Sequence, residues 1–90
     1  MTAAFSDEHL YDLAKAFPSE VVNRLIEGES PVRVYREYRG LTQKALAKKV
    51  GVDSNYLSRI ERGTRTGSVA FLRKVANALE VKLDDLVPAD

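Results

Sequence analysis

Residues 42–63, TQKALAKKVGVDSNYLSRIERG, constrain this chain more than any other stretch. Thr42 offers a side-chain acceptor of the kind that starts a helix, and Leu46, Ala47 and Val50 then recur at helical spacing. Gln43, Lys44, Lys48 and Lys49 fall between them, on the side left to water. Gly51 follows at once, where a helix end favours a residue tolerant of positive φ, and Val52 is an apolar plug at the corner. Asp53 can cap a second helix, in which Leu57 and Ile60 are spaced i, i+3 to face inward and which Gly63 closes. The opposite face of that helix shows Ser54, Asn55, Arg59 and Arg62, with Tyr56 and Ser58 on its flanks. Two short helices joined by a tight turn follow from this pattern. Inward residues fix the angle between them, and outward ones are free to meet a ligand.

Such an arrangement is a helix-turn-helix, whose second helix enters the DNA major groove when it carries small polar and cationic residues. The pattern LTQKALAKKVGV-x-SNYLSRIERG, preceded by YREYRG, resembles the phage-repressor (Xre/Cro) family of helix-turn-helix proteins. The resemblance runs from about Pro31 to Val87 and takes in SVAFLRKVANALEV and the final LDDLV turn. It implies an all-α, lambda-repressor-like bundle, here with one or two extra N-terminal helices, that binds double-stranded DNA as a homodimer on a two-fold symmetric operator.

The charge distribution agrees with that expectation. The net charge of +1 hides three unlike segments. Residues 1–30 carry −4, residues 31–74 carry +8 from eleven Lys and Arg against three acidic residues, and residues 75–90 carry −3. The whole basic excess lies across the two-helix motif and its flanks, as attraction to phosphates requires. Ninety residues suffice for one modest core, and an apolar fraction of 44 % with 30 % charged residues is ordinary for a globular protein. There is no membrane-length apolar run and no secretion-signal pattern, so no membrane partner is expected. With no cysteine there is no disulfide framework or thiolate metal site, and the cytoplasm is the expected compartment.

Along the chain, Ser6-Asp7-Glu8 suits a helix start, and Leu10, Leu13, Ala14 and Phe17 form an apolar stripe that Pro18 ends. Ser19–Ile26 reads as a second helix burying Val22, Leu25 and Ile26, and Ser30-Pro31 opens a third that stops at Gly40. Helices over 43–50, 54–62 and 69–79 follow, with a last turn around Leu83–Val87. Leu72, Val75, Ala76 and Leu79 make the inner stripe of the penultimate helix, and Val81, Leu83 and Leu86 fold back over it. This divides the chain into an acidic helical extension, residues 1–29, and a DNA-binding helix-turn-helix domain, residues 30–90.

Carried over by position, the resemblance implies that Ser54, Asn55 and Arg59 read base edges. Arg59 suits guanine O6/N7, Asn55 suits adenine N6/N7, and Ser54 constrains the base weakly. Tyr56 is open to two readings, contact with a thymine methyl or phosphate and packing. Gln43 begins the first helix of the motif, where side chain, N–H groups and helix dipole can share a phosphate. Thr42, Lys44, Arg62, Arg65 and Thr66 are further phosphate candidates. Arg36 and Glu61 stand where this family has an internal ion pair, and their role is expected to be structural.

Enzyme chemistry finds no support. No nucleophile–base set, metal spacing or cofactor motif is present. Gly63-Thr64-Arg65-Thr66-Gly67 lacks the G-K-[ST] ending of a nucleotide loop. His9 is expected to be solvent-exposed, and Asp84-Asp85 to cap the last turn.

Residues 10–40 resemble the connecting region of antitoxins that join a Phd-like domain to this motif, although the chain is too short to hold that domain. The extension has three readings: completion of the core, a dimer contact, or a site for a toxin or other protein. The expected function is a sequence-specific transcriptional regulator, a repressor that autoregulates as an antitoxin. The alternative is a protein-interaction module that neutralises a toxin or binds a transcription-machinery partner.

Overall fold

Side-chain acceptors set most of the helix starts. The computed structural model describes residues 5–87 and is all-helical, with no strand among the described residues. Ser6 accepts the His9 N–H at 3.1 Å to open α1 (Asp7–Ala16), and Ser30 accepts that of Arg33 at 3.3 Å to open α3 (Pro31–Tyr38). Thr42 accepts from Ala45 at 3.0 Å ahead of α4 (Gln43–Val50), and Asp53 from Asn55 at 2.9 Å ahead of α5 (Ser54–Arg62). Ser68 accepts from Phe71 at 3.1 Å before α6 (Val69–Leu79). Each such cap satisfies one of the donors that a helix start leaves unpaired, and is worth about 1 kcal/mol. Helix α2 (Ser19–Ile26) follows Pro18 without a side-chain cap. The short α7 (Leu83–Leu86) starts where Asp85 accepts the Lys82 N–H at 3.1 Å. The expected all-α class and the bounds 43–50, 54–62 and 69–79 hold.

Helix α4 packs on α5 and α6, and α3 lies behind them against α5, α6 and α7. Val34, Tyr35, Leu46, Leu57, Val75 and Leu79 are wholly buried where these helices meet. Helix α2 packs on α3 and α1 on α2, so a single apolar cluster runs from Phe5 to Leu86. Arg39, just past α3, donates to the carbonyls of Leu79 at 2.8 Å and Glu80 at 3.2 Å, and so caps the α6 C-terminus with a positive charge.

Four expectations need correction. Ile26 is 58 % exposed, because Val21, Val22 and Leu25 define the buried arc of α2 and Ile26 lies about 90° from its centre on a helical wheel. Ala14 is exposed for the same reason, at the margin of the stripe of Leu10, Leu13 and Phe17. Phe71 joins the inner stripe of α6. It fits because Gly67 carries no side chain: a Cβ there would stand 2.7 Å from the Phe71 ring.

The fourth is His9. Its ring is half-buried, with Nε2 2.8 Å from Asp85 Oδ1 and the Phe5 ring edge-on at 4.9 Å. The partner is 76 residues away, so periodicity within α1 carries no sign of it. Tyr35 holds the one buried side-chain oxygen without a hydrogen-bond partner among the described residues. Burial and then the Asp85 carboxylate push its phenol above the usual range.

Candidate nucleic-acid interface

The turn between α4 and α5 depends on backbone geometry that glycine provides. Gly51 adopts φ 75°, a left-handed conformation costly for a residue with a Cβ. The chain then turns through Val52 to the Asp53 cap. Leu57 and Ile60 seat α5 on the core, so its other side is held outward at fixed tilt. Asn55 and Arg59 are exposed there, and Ser54 is half-exposed at the start of the helix.

The flanking residues are more engaged. Tyr56 is half-buried, its ring edge-on to Phe71 at 5.2 Å, while the Arg65 guanidinium lies 5.6 Å from the centroid of the Tyr56 ring. Arg62 donates to Ser58 Oγ at 3.1 Å, one turn back on α5. Thr42, Lys44, Arg65 and Thr66 are exposed.

Gln43 has a second attachment that the sequence does not reveal. Its Nε2 donates to Glu61 Oε1 at 3.0 Å. Glu61 is itself buried and accepts from Arg36 twice, Nε to Oε2 at 2.7 Å and a terminal nitrogen to Oε1 at 3.0 Å. The other terminal nitrogen of Arg36 donates to the Leu41 carbonyl at 2.8 Å. One buried carboxylate thus ties α3, the first residue of α4 and the last turn of α5 together. A faint signal was available: between Gly40 and Leu79 only Asp53 and Glu61 are acidic. Asp53 caps α5, so Glu61 is the single carboxylate left to any buried donor nearby.

Cations divide sharply by location. Arg33 and Arg36 on α3 are paired with carboxylates, and Arg39 with backbone carbonyls. Among the described residues, Lys44, Lys48, Lys49, Arg59, Arg62, Arg65, Arg73 and Lys74 form no ion pair. The basic excess is therefore not neutralised internally, and it is carried by α4, α5, the segment after α5 and α6. An extended polyanion would be attracted to it.

A helix-turn-helix family model matches residues 32–86, from the second residue of α3 through α7. The chain belongs to the helix-turn-helix family. SlrR, an HTH-type transcriptional regulator of Bacillus subtilis (strain 168), is 47 % identical over 60 residues, which are 66 % of this chain and 40 % of SlrR. The regulator SinR of the same organism is 40 % identical over 57 residues, 62 % of this chain and 51 % of SinR. This helix-turn-helix chain thus spans about half or less of the length of those two regulators. It covers 86 % of the uncharacterised HTH-type regulator YazB, at 36 % identity over 59 residues and 66 % of this chain. Among solved structures, SinR in complex with DNA is similar with a TM-score of 0.59 at 40 % identity, over 62 % of this chain and 90 % of that one. A chain of a SinR–SinI protein complex gives the same score and identity, over 62 % of this chain and 55 % of that one. These relatives are transcriptional regulators, not enzymes. Helices α1 and α2 lie outside the matched segment.

Proposed function

We propose that this chain is a DNA-binding transcriptional regulator, a repressor that reads its operator through α5. In this reading Asn55 and Arg59 contact base edges, with Ser54 and Tyr56 beside them, and each bidentate contact discriminates by about 1–3 kcal/mol. Thr42, Gln43, Lys44, Arg62, Arg65 and Thr66 hold phosphates on either side. The carrying observation is the unpaired positive charge around the exposed Asn55 and Arg59. A homodimer placing two α5 helices in successive major grooves suits a symmetric operator.

The test is an operator selection followed by binding measurements at graded salt. Log affinity should fall with log salt with a slope of about −3 per protomer, for Lys44, Arg62 and Arg65. Arg59→Ala should relax base preference at one position of each half-site. Unchanged preference would refute the assignment of Arg59.

A second reading, a module that binds and neutralises a toxin, is favoured by one observation. Tyr11 is 66 % and Ile26 58 % exposed on the two helices outside the matched segment. Co-purification with the product of the adjacent gene, lost on Tyr11→Ser with Ile26→Ser, would support it. No retention of that product would exclude it.

A further inference from the structure

Arg24 lies on α2, outside the matched segment, yet its guanidinium holds two carboxylates. One terminal nitrogen donates to Glu29 Oε1 at 2.6 Å and to Glu37 Oε1 at 2.7 Å, and its Nε donates to Glu29 at 2.9 Å. The second oxygen of Glu37 accepts from Arg33 Nε at 3.2 Å and stands 3.7 Å from a terminal nitrogen of Arg36. That nitrogen is the one that donates to Glu61 Oε1, the oxygen that also accepts from Gln43. A continuous chain of charged contacts therefore runs from the N-terminal extension to the first residue of α4.

We propose that Arg24 is a positioning residue for DNA binding: by drawing Glu37 outward it keeps Arg36 on Glu61, and so presets the Gln43 carboxamide at the α4 N-terminus. The proposal rests on the reading of Gln43 as a phosphate contact.

Two carboxylates compete for Arg36. Glu61 is buried and wins at 2.7–3.0 Å, whereas Glu37 waits at 3.7 Å. With Arg24 present, Glu37 has two other cations to satisfy it. Without Arg24 only Arg33 remains, and its side chain is 56 % exposed, so its pull is weakened by solvent screening. Glu37 then draws on the Arg36 nitrogen, Glu61 Oε1 loses a donor, and the Gln43 amide follows the displaced oxygen. Glu61 Oε1 accepts from both Arg36 and Gln43, so loss of the first shifts the oxygen that orients the second. Gln43 has a second N–H to offer a phosphate, and its direction is fixed only while the first is held by Glu61.

The decisive experiment measures affinity of the full chain for duplex from upstream of its gene, well below each variant's melting temperature. Arg24→Ala should weaken binding roughly 3- to 10-fold. Adding Glu37→Gln should restore most of that loss, because the competing charge is gone. In a Gln43→Ala background, Arg24→Ala should have no further effect. A merely bracing Arg24 predicts otherwise: no rescue by Glu37→Gln, and the same loss with Gln43 absent. Either result overturns the proposal, as does parental affinity in Arg24→Ala. If the parent binds no duplex, the DNA reading itself fails. The side-chain amide resonances of Gln43 in the DNA-free chain then judge the coupling separately. They should shift in Arg24→Ala and return in Arg24→Ala with Glu37→Gln; resonances that stay fixed contradict the relay.

Discussion

Helices α3 and α5 are both short, amphipathic and arginine-bearing, yet their cations meet opposite fates. On and just after α3, Arg33, Arg36 and Arg39 all reach partners within the chain. On α5, Arg59 makes no ion pair among the described residues, and Arg62 reaches only the Ser58 hydroxyl. Part of the difference lies in the supply of carboxylates, since Arg36 takes its partner, Glu61, from α5 itself and Arg39 uses backbone carbonyls. Glu37 lies on α3 and Glu29 just before it, whereas the long stretch from Gly40 to Leu79 holds only Asp53 and Glu61, both turned to internal work. Net charge alone does not separate these cases. What separates them is whether a cation already has an acceptor, because only an unpaired one gains from an incoming phosphate.

Arg36 is where the two sets of cations should differ most. Arg36→Ala strands the Glu61 carboxylate in the core and should cost about 3–5 kcal/mol, a large share of a small domain's stability. Urea denaturation followed by circular dichroism reads this directly, and a midpoint equal to the parent's contradicts it. Arg59→Ala should do the reverse. Its stability should stay within about 0.5 kcal/mol of the parent, while operator affinity falls by about 1–3 kcal/mol. If Arg59→Ala lowered the urea midpoint as far as Arg36→Ala does, the division of cations into internal and outward sets would be wrong.

Smaller effects sharpen the contrast. Tyr35→Phe removes a buried hydroxyl that has no partner among the described residues, and should raise stability by about 1 kcal/mol. A lower melting temperature would show that the hydroxyl is satisfied. Lys44→Ala should weaken every DNA sequence alike and reduce the salt slope by about 0.9, without altering base preference.

The smallest effect is on the acid limb of stability. Arg24 holds the Glu29 and Glu37 carboxyls below their usual range. A depressed folded value means stability that is present above the usual carboxylate range and is lost as pH falls through the lowered value. Arg24→Ala should flatten that loss. The change should be slight, since both carboxylates are more than a third exposed.

Most of the fold could be read because its signals are local. Thr42, Asp53, Gly51 and Gly63 fix where α4 and α5 begin and end, and each acts within four residues of itself. Stripes such as Leu57 with Ile60 face the core as their spacing requires. Errors arose where a side chain's fate depends on a distant element. His9 looks exposed on its own helix, yet α7 brings Asp85 against it. Ile26 looks buried as an apolar residue of α2, yet it lies outside the arc that Val21, Val22 and Leu25 turn to the core. In the candidate interface, exposure of Asn55 and Arg59 follows from the period of α5. The bond from Gln43 to Glu61 does not, because it needs the angle between α4 and α5. The Arg24–Glu37 contact likewise depends on how α2 lies across α3.

In this reading a duplex docks on the outward face of α5, where Arg59 and Arg62 are unpaired with any carboxylate among the described residues. Backbone amide shifts of the isotope-labelled chain, followed during titration with its own upstream DNA, test it most directly. The largest changes should cluster at Thr42–Lys44, Ser54–Arg59 and Thr64–Thr66, while Tyr11 and Ile26 stay still. Changes centred on α1 and α2, or none at low salt, would contradict the account.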